Sequence, residues 1–409
     1  MAWCTLAITI HIEGARALAV ISQLFLTNFR SFQELNLQLS PGIIVFHGDN
    51  AQGKTTLLEA IYLLAIARSY RAENEREVVN FDAAKRGEQG LVGGLVLQQT
   101  EPLSVYVGYQ TLVLPDSEKN DVEDNNVVRY SVRKQIRVNK IARTSSQLIG
   151  QVSAVLFSAE DIDLVYGSPS RRRKFLNILI SQADSAYVSS LQRYQRVIHQ
   201  RNQLLKSIRE NRSEIGELEY WDEQLVIEGT HIISKRQVCM LTLSELCLEH
   251  HKSLGESDTV FQIKYIPSIT PGRSADETST HFAESLRELR KREIFSATTL
   301  IGPHRDDFSM MDGVRNLGTF SSRGEARTSA LILRLAEASY LSARRGDPPI
   351  ILLDDVLSEM DVNRRSRVMS KLRDYPQSII TTTDRGIVSE YFGETASYFL
   401  VAKGAVQQT

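Results

Sequence analysis

Long apolar runs are missing from this chain of 409 residues. None approaches 18 consecutive apolar positions, so the sequence offers no membrane-spanning helix. Cysteine is scarce. Cys4, Cys239 and Cys247 have no metal-ligand spacing and cannot all pair, which points to reduced thiols in a cytoplasmic protein. Net charge is almost absent too, with 48 Lys and Arg against 49 Asp and Glu. That balance excludes a globally basic nucleic-acid binder but leaves room for a local basic face. No N-K-x-D base-reading motif occurs, which excludes a small GTPase, and there is no internal repeat. Residues 1–21 are mildly apolar but interrupted by Glu13 and Arg16, with no basic run before them. They make a poor signal peptide and are expected to be an N-terminal extension. What is present, 42% hydrophobic and 24% charged residues, suits a soluble chain of two or three domains.

The most informative segment is Gly48-Asp49-Asn50-Ala51-Gln52-Gly53-Lys54-Thr55, a full match to the phosphate loop G-x-x-x-x-G-K-[ST]. An apolar run at 43–46 precedes it and reads as a buried strand. The run 56–67, beginning with Thr56, reads as an amphipathic helix. Glycines let backbone N–H groups curl around a phosphate, and the helix N-terminus adds positive potential. Lys54 would reach the β- and γ-phosphates of ATP, and Thr55 would hold Mg²⁺ through its hydroxyl.

Around this loop the chain predicts strands over 22–46, 91–114 and 127–141, with an acidic loop tip at 115–126. From 169 to about 254 the pattern turns helical. Leu191, Tyr194, Ile198, Arg201, Leu205 and Ile208 form a seam of 3,4 spacing that Arg201 interrupts. Only about four heptads are available, which predicts a compact helical insertion and not a long rod. A strand at 260–266 and a helix at 275–292 follow. The last third alternates helix 324–345, strand 349–353, helix 361–373 and strand 378–382.

The strand 349–353 runs into Asp354-Asp355, the Walker B arrangement. A strand buried on both faces places Asp354 at the carboxyl edge of a parallel sheet, where it would complete the Mg²⁺ shell. Asp355 could polarise the attacking water. Ser321-Ser322-Arg323-Gly324-Glu325 begins the helix about 30 residues earlier. Ser322 and Gly324 there make a second anion-binding tip. This position resembles the signature of ABC-type ATPases, Ser358-Glu359-Met360-Asp361 resembles their D-loop, and Thr381-Thr382-Thr383-Asp384, with Thr383 as the nucleotide-contacting candidate, falls at their switch position without the usual His. In ABC-type heads the signature closes over a nucleotide held by a second head. The resemblance therefore implies an ATP-dependent homodimer in which each γ-phosphate touches Lys54 of one chain and Ser322 of the other.

The match is closer still to the bacterial RecF family. It runs through Leu26-Thr27-Asn28-Phe29-Arg30-Ser31-Phe32, the phosphate loop and Leu58-Glu59-Ala60-Ile61-Tyr62. It continues through Val155-Leu156-Phe157-Ser158-Ala159-Glu160-Asp161, Gly167-Ser168-Pro169 and Ile301-Gly302-Pro303-His304-Arg305-Asp306-Asp307. The resemblance covers about residues 22–400. It implies an α/β fold, an SMC-like ABC ATPase head with an inserted compact helical lobe. Lobe I is expected at 22–168, the helical lobe II at 169–258 and the rest of the head at 259–409. It further implies a weak DNA-stimulated ATPase of recombinational repair. Such a protein acts on single-stranded and gapped DNA and at junctions, with RecO and RecR as partners. It assists RecA loading and supports replication and the SOS response. Arg30 resembles a residue that approaches nucleotide phosphate in SMC-like heads. An ABC transporter subunit and a structural SMC-like clamp share the nucleotide motifs. The roughly 265 residues between phosphate loop and signature argue against the first, and the short seam against a long-armed version of the second.

Four positions depart from the patterns these resemblances set. Arg323 replaces the second-position Gly of the general ABC signature, where RecF-like sequences often carry a bulkier residue, and Ala159 replaces a Pro usual in its segment. Glu325 stands where Gln is usual, so a carboxylate lies near incoming phosphates or points away from them. Asp355 is one methylene shorter than the usual Glu, which predicts slow hydrolysis, that of a switch. Basic residues cluster at 129–140, at 171–174 and at 193–212. Arg171, Arg172, Arg173 and Lys174 occupy the first turn of a helix, where the dipole disfavours each cation by about 0.3–1 kcal/mol. Phosphate contact with DNA, without base readout, accounts for them.

Overall fold

A computed structural model of the chain describes residues 19–98, 101–113, 130–255 and 260–409. Most of the expected extension, the acidic loop tip at 115–126 and Arg129 lie outside the described residues. Helices of eight residues or more are numbered here.

Two sheets face each other across one helix. The strands β1 (Val20–Phe29), β2 (Phe32–Gln38), β3 (Gly42–His47), β4 (Gly90–Leu97), β5 (Leu103–Val113), β6 (Tyr130–Val138), β7 (Ile141–Arg143) and β8 (Ala154–Ser158) come first in the chain. Among them β2-β1-β4-β5-β6-β7 form an antiparallel sheet in that order. The C-terminal third supplies β12 (Ile350–Asp354), β13 (Gln377–Thr382), β14 (Ala396–Ala402) and β15 (Ala405–Gln408). These join β3 and β8 in the order β15-β14-β3-β13-β12-β8, all parallel except β15. Between the sheets runs α1 (Lys54–Ile66), buried at every position but Thr55. The sequence predicted an amphipathic helix here. The difference has a simple cause: a helix covered by a sheet on each side has no wet face, and its run of Leu, Ile, Ala and Tyr suits that site.

The helical part comprises α2 (Pro169–Ala183), α3 (Ser185–Arg209), α4 (Leu218–Ser253) and α5 (Ala275–Ser296). α3 and α4 form a hairpin, and α5, which lies beyond the 258 boundary, packs against both. A small sheet that the sequence did not suggest beyond its first strand, β11-β10-β9, lies against α4. It consists of β9 (Phe261–Ile266), β10 (Asp307–Asp312) and β11 (Arg315–Asn316). α6 (Arg323–Arg345), α7 (Val362–Leu372) and α8 (Arg385–Phe392) complete the chain.

Two arginines organise this helical body. Arg201 does not interrupt its seam but is fully buried in it. Its guanidinium donates to Asp222 Oδ1 at 2.8 Å, Thr299 Oγ1 at 2.9 Å and Glu293 Oε2 at 2.7 Å. Arg236 on α4 donates to Asp306 Oδ2 at 2.9 Å, the Pro303 carbonyl at 2.6 Å and Asn177 Oδ1 at 2.9 Å. Asp306 also accepts from Tyr265 OH and from the Ser268 N–H. Beside it, burial pushes His304 down to about 4, and the neutral ring bonds Tyr194 OH and the Thr299 carbonyl. The motif 302–306 is therefore a structural knot joining α2, α4 and the small sheet. Removing one partner strands a buried charge. Asp306→Ala is expected to lower stability by about 3–5 kcal/mol, measured as a shift in the urea midpoint at unchanged slope.

Candidate nucleotide site

β3 ends at the parallel sheet's carboxyl edge, and the phosphate loop turns there. Gly48 has φ +143°, and a Cβ on it would lie 2.4 Å from the Val401 carbonyl oxygen, so only glycine fits. Ala51 and Gly53 also take positive φ, and Gly53 caps α1 without a side-chain acceptor. The first turn of α1 carries no carboxylate. Its N–H groups are left for an anion. Lys54 folds its ammonium back onto the Gly48 and Asp49 carbonyls, 2.7 Å from each. Desolvation lowers its pKa, opposed by Asp355, Asp354 and Asp49. Asp49 and Asn50 are exposed, and Gln52 accepts the Lys403 N–H at 2.7 Å, bracing the loop on the turn after β14.

Asp354, at the end of β12, gathers three hydroxyls. Thr55 Oγ1 at 2.8 Å and Thr381 Oγ1 at 2.9 Å donate to its Oδ1, and Tyr70 OH at 3.0 Å donates to its Oδ2. Parallel pairing of β12 with β13 sets Asp354 opposite Thr381. Asp355 adopts φ +53°, and its N–H reaches Thr381 Oγ1. Its Oδ1 is buried with no hydrogen-bond partner. Burial raises the Asp355 pKa, reinforced by Asp354 and Glu359 and opposed by Lys54. Arg30, in the left-handed region at φ +52°, grips the fully buried Glu59 at 2.7 Å and donates to the Glu77 carbonyl. Ser69 and Arg71 also contact Glu59. A cleft of about 540 Å³ joins Arg30, Asn50, Ala51, Gly53, Lys54, Thr55, Thr56, Arg71, Asp355 and Thr381.

Other predicted residues fall elsewhere. Thr383 is exposed and does not line this cleft; Thr381, two residues earlier, faces the carboxylates instead. Ser322 caps α6 in a reciprocal box: its Oγ accepts the Glu325 N–H at 3.2 Å, and Glu325 Oε2 accepts the Ser322 N–H at 2.6 Å. Arg315 donates to Glu325 Oε1 at 2.8 Å. Glu325 is held down to about 2, first by the Ser322 backbone N–H and then by Arg315. Ser322, Gly324 and Glu325 do not line the phosphate-loop cleft.

The run 171–174 does not present one surface. Arg172 forks onto Asp307 at 2.6 and 2.8 Å and donates to the Gly167 carbonyl. Arg173 donates to the Asp306 carbonyl, Arg171 is exposed within 3.8 Å of Glu160 and Asp163, and the half-buried Lys174 lines a cleft beside α1. In the 193–212 cluster, Arg193 pairs with Glu228, Arg212 pairs with Glu210, and Arg201 is buried. Sequence reasoning missed Tyr70 and Arg71, to which nothing in spacing pointed, and it placed Thr381 only within the run 381–384; its position opposite Asp354 on a neighbouring parallel strand singles it out.

The model of the RecF/RecN/SMC N-terminal domain family matches residues 20–406. The DNA replication and repair protein RecF of Herpetosiphon aurantiacus is 40% identical over 367 residues, covering 89% of this chain and 93% of that protein. That of Roseiflexus castenholzii is 37% identical over 376 residues, with the same coverage. A solved structure described as the recombination mediator protein RecF-ATP in the RecFOR pathway superposes with a TM-score of 0.84 at 30% identity. It covers 98% of this chain and all of that one. Among the described residues no helix is long and apolar enough to cross a membrane.

The raised pKa of Asp355 carries a sign. A base works ionised, so activity that needs it falls as pH drops through its pKa, and raising that pKa moves the fall to higher pH. The acid-side fall of ATP hydrolysis is expected at a pH above the ordinary aspartate range. Asp355→Asn should abolish the rate at every pH while leaving ATP affinity within about threefold; a pH–rate series at saturating ATP checks both.

Proposed function

This chain belongs to the RecF family, and from that premise we propose that it is an ATP-gated DNA-binding protein of replication and recombinational repair, two copies closing around two ATP molecules. One observation carries the reading. The phosphate-loop cleft contains Lys54, Thr55 and Asp355 but no signature residue. Gly324 instead borders a separate cavity of about 90 Å³ with Glu359 and Met360. That separation supports the reading in which the second anion-binding tip serves the nucleotide of another copy.

The residues present fit the groups this requires. The uncapped first turn of α1 suits a polyphosphate. Thr55 and Asp354, 2.8 Å apart, would hold Mg²⁺, which neutralises phosphate charge when bound. Lys54 would exchange its two carbonyl partners for the β- and γ-phosphates. The unpartnered oxygen of Asp355 would accept a proton from the attacking water, and its short side chain supports slow hydrolysis. Arg30 and Arg71 would add positive charge at the wall of the cleft. Glu325 is already seated on the Ser322 N–H, so its charge meets the incoming γ-phosphate of the partner's nucleotide and tempers closure. By family likeness the chain would act on single-stranded and gapped DNA and at junctions. RecO and RecR would be its partners, with RecA loading, replication restart and SOS induction downstream. Arg171 and Lys174 carry the phosphate contacts proposed for this helix, because Arg172 is committed to Asp307.

Two measurements test these statements. Light scattering of Asp355→Asn at saturating ATP is expected to give a dimer, and Ser322→Arg in that background a monomer that still binds ATP. Glu325→Gln should tighten the dimer about two- to fivefold, the worth of one charge at a helix N-terminus. A hydrolysis-deficient chain that stays monomeric would overturn the reading. In DNA titrations across salt, replacing Arg171 and Lys174 by Ala is expected to flatten the log–log slope by up to about 1.8, equally for all sequences; an unchanged slope removes both from the DNA contact.

A further inference from the structure

A second cleft, about 520 Å³, opens between the end of α1 and the helical body. Its walls are aliphatic: Ile66, Ile149, Ile178, Leu191 and Ile198. Its polar lining is one-signed. Arg68, Arg173, Lys174 and Arg236 contribute to it, and among the described residues that line it there is no carboxylate. Four of the five N–H donors of Arg236 are taken by Tyr187, Pro303, Asp306 and Asn177, and Arg173 has one donor on the Asp306 carbonyl. Among the described residues Arg68 and Lys174 have no hydrogen-bond or ion-pair partner. Ser170, in the first turn of α2, adds a hydroxyl at a helix N-terminus that no side chain caps. Desolvation lowers the pKa of Lys174, the charges of Arg68 and Arg171 lower it further, and Glu160 opposes them in part. Cations crowded along a cleft that no carboxylate lines repel one another, and an anion between them would relieve the repulsion.

We propose that this cleft is a second phosphate site, distinct from the phosphate loop, which takes a phosphoryl group between Arg68, Lys174 and Ser170 and seats the apolar part of the ligand on the isoleucine wall. The size suits a single nucleotide unit. Several converging charged donors suit a phosphoryl group with three oxygens. The source is a free nucleotide or a phosphorylated DNA end, which share this chemistry. The site also has a route to the first one. Ser69, adjacent to Arg68 and lining the same cleft, donates to Glu59, which holds Arg30. Tyr70, the next residue, donates to Asp354. An occupant drawing on Arg68 would thus pull on the segment that positions both walls of the ATP cleft.

The test uses the full chain carrying Lys54→Met, which silences the phosphate loop, so that its outcome does not depend on ATP-driven dimerisation. Calorimetry with inorganic pyrophosphate is expected to show one site per chain. Arg68→Ala and Lys174→Met, neither of which removes a partner from another residue, should each weaken it roughly 10-fold, the worth of one charge-assisted hydrogen bond. Thymidine octamers with and without a 5′-phosphate form one arm and dTMP the other. Preference for the phosphorylated octamer identifies a DNA end, and equal binding of dTMP identifies a free nucleotide. Absence of pyrophosphate binding, or binding unmoved by both substitutions in chains with unchanged melting temperature, overturns the proposal. In the chain with Lys54 intact, occupancy should also change ATP affinity; an identical ATP Kd with and without the probe ends the coupling part.

Discussion

The carboxylate of Asp354 is the point on which the candidate site depends. Three hydroxyls from three separate segments meet on it: Thr55 from the start of α1, Thr381 from β13 and Tyr70 from the segment after α1. Each is brought there by a different part of the fold. β12 and β13 must be parallel and in register for Thr381 to stand opposite Asp354. α1 must lie between the two sheets for Thr55 to point down at the strand edge. Two hydroxyls on one oxygen hold that carboxylate in a single orientation, and this pre-organises the place where a cation is proposed to sit. The same low-dielectric surroundings that strengthen these bonds also raise the pKa of the neighbouring Asp355.

Away from the sheets, buried charge takes the place of a long apolar seam. The α3–α4 hairpin and α5 share Arg201, which reaches Asp222 on α4 and Glu293 on α5. Arg236 ties α4 to the 303–306 turn. Ion pairs like these define register and angle more sharply than leucines do, because a slip of one turn would leave a charge without its partner. The cost is intolerance: each partner has a strict place, and single truncations expose the other to an apolar interior.

Much of the fold could be read in the sequence because its signals are local. The phosphate loop, the apolar strand before Asp354 and the helix beginning at Arg323 each announce themselves within a dozen residues. Those elements lie in the structure where spacing placed them, within one to three residues. What was not legible depends on partners distant in sequence. Arg201 looks like a break in a seam until Glu293 and Asp222 are seen around it. The run 171–174 looks like one basic face until Asp307, more than a hundred residues on, is found clasping Arg172. Glu325 could be read either way, and the short cap to Ser322 shows which way it turns. Thr383 has the same parity as Thr381 but lies one residue past the end of β13, so alternation alone does not separate the two; the strand's end, set by pairing with β12 and β3, does.

The position of β3 has a consequence for how the chain is made. This strand, which feeds the phosphate loop, lies between β13 and β14, and both of its neighbours are synthesised near the far end of the polypeptide. Gly48 rests against Val401, and Gln52 grips the backbone of Lys403. During translation this buried apolar strand therefore waits without its ladder partners until nearly the whole chain has left the ribosome. A nascent intermediate with that edge uncovered is the natural client of a holding chaperone, and a prematurely terminated product would have no working nucleotide pocket however intact its phosphate-loop sequence.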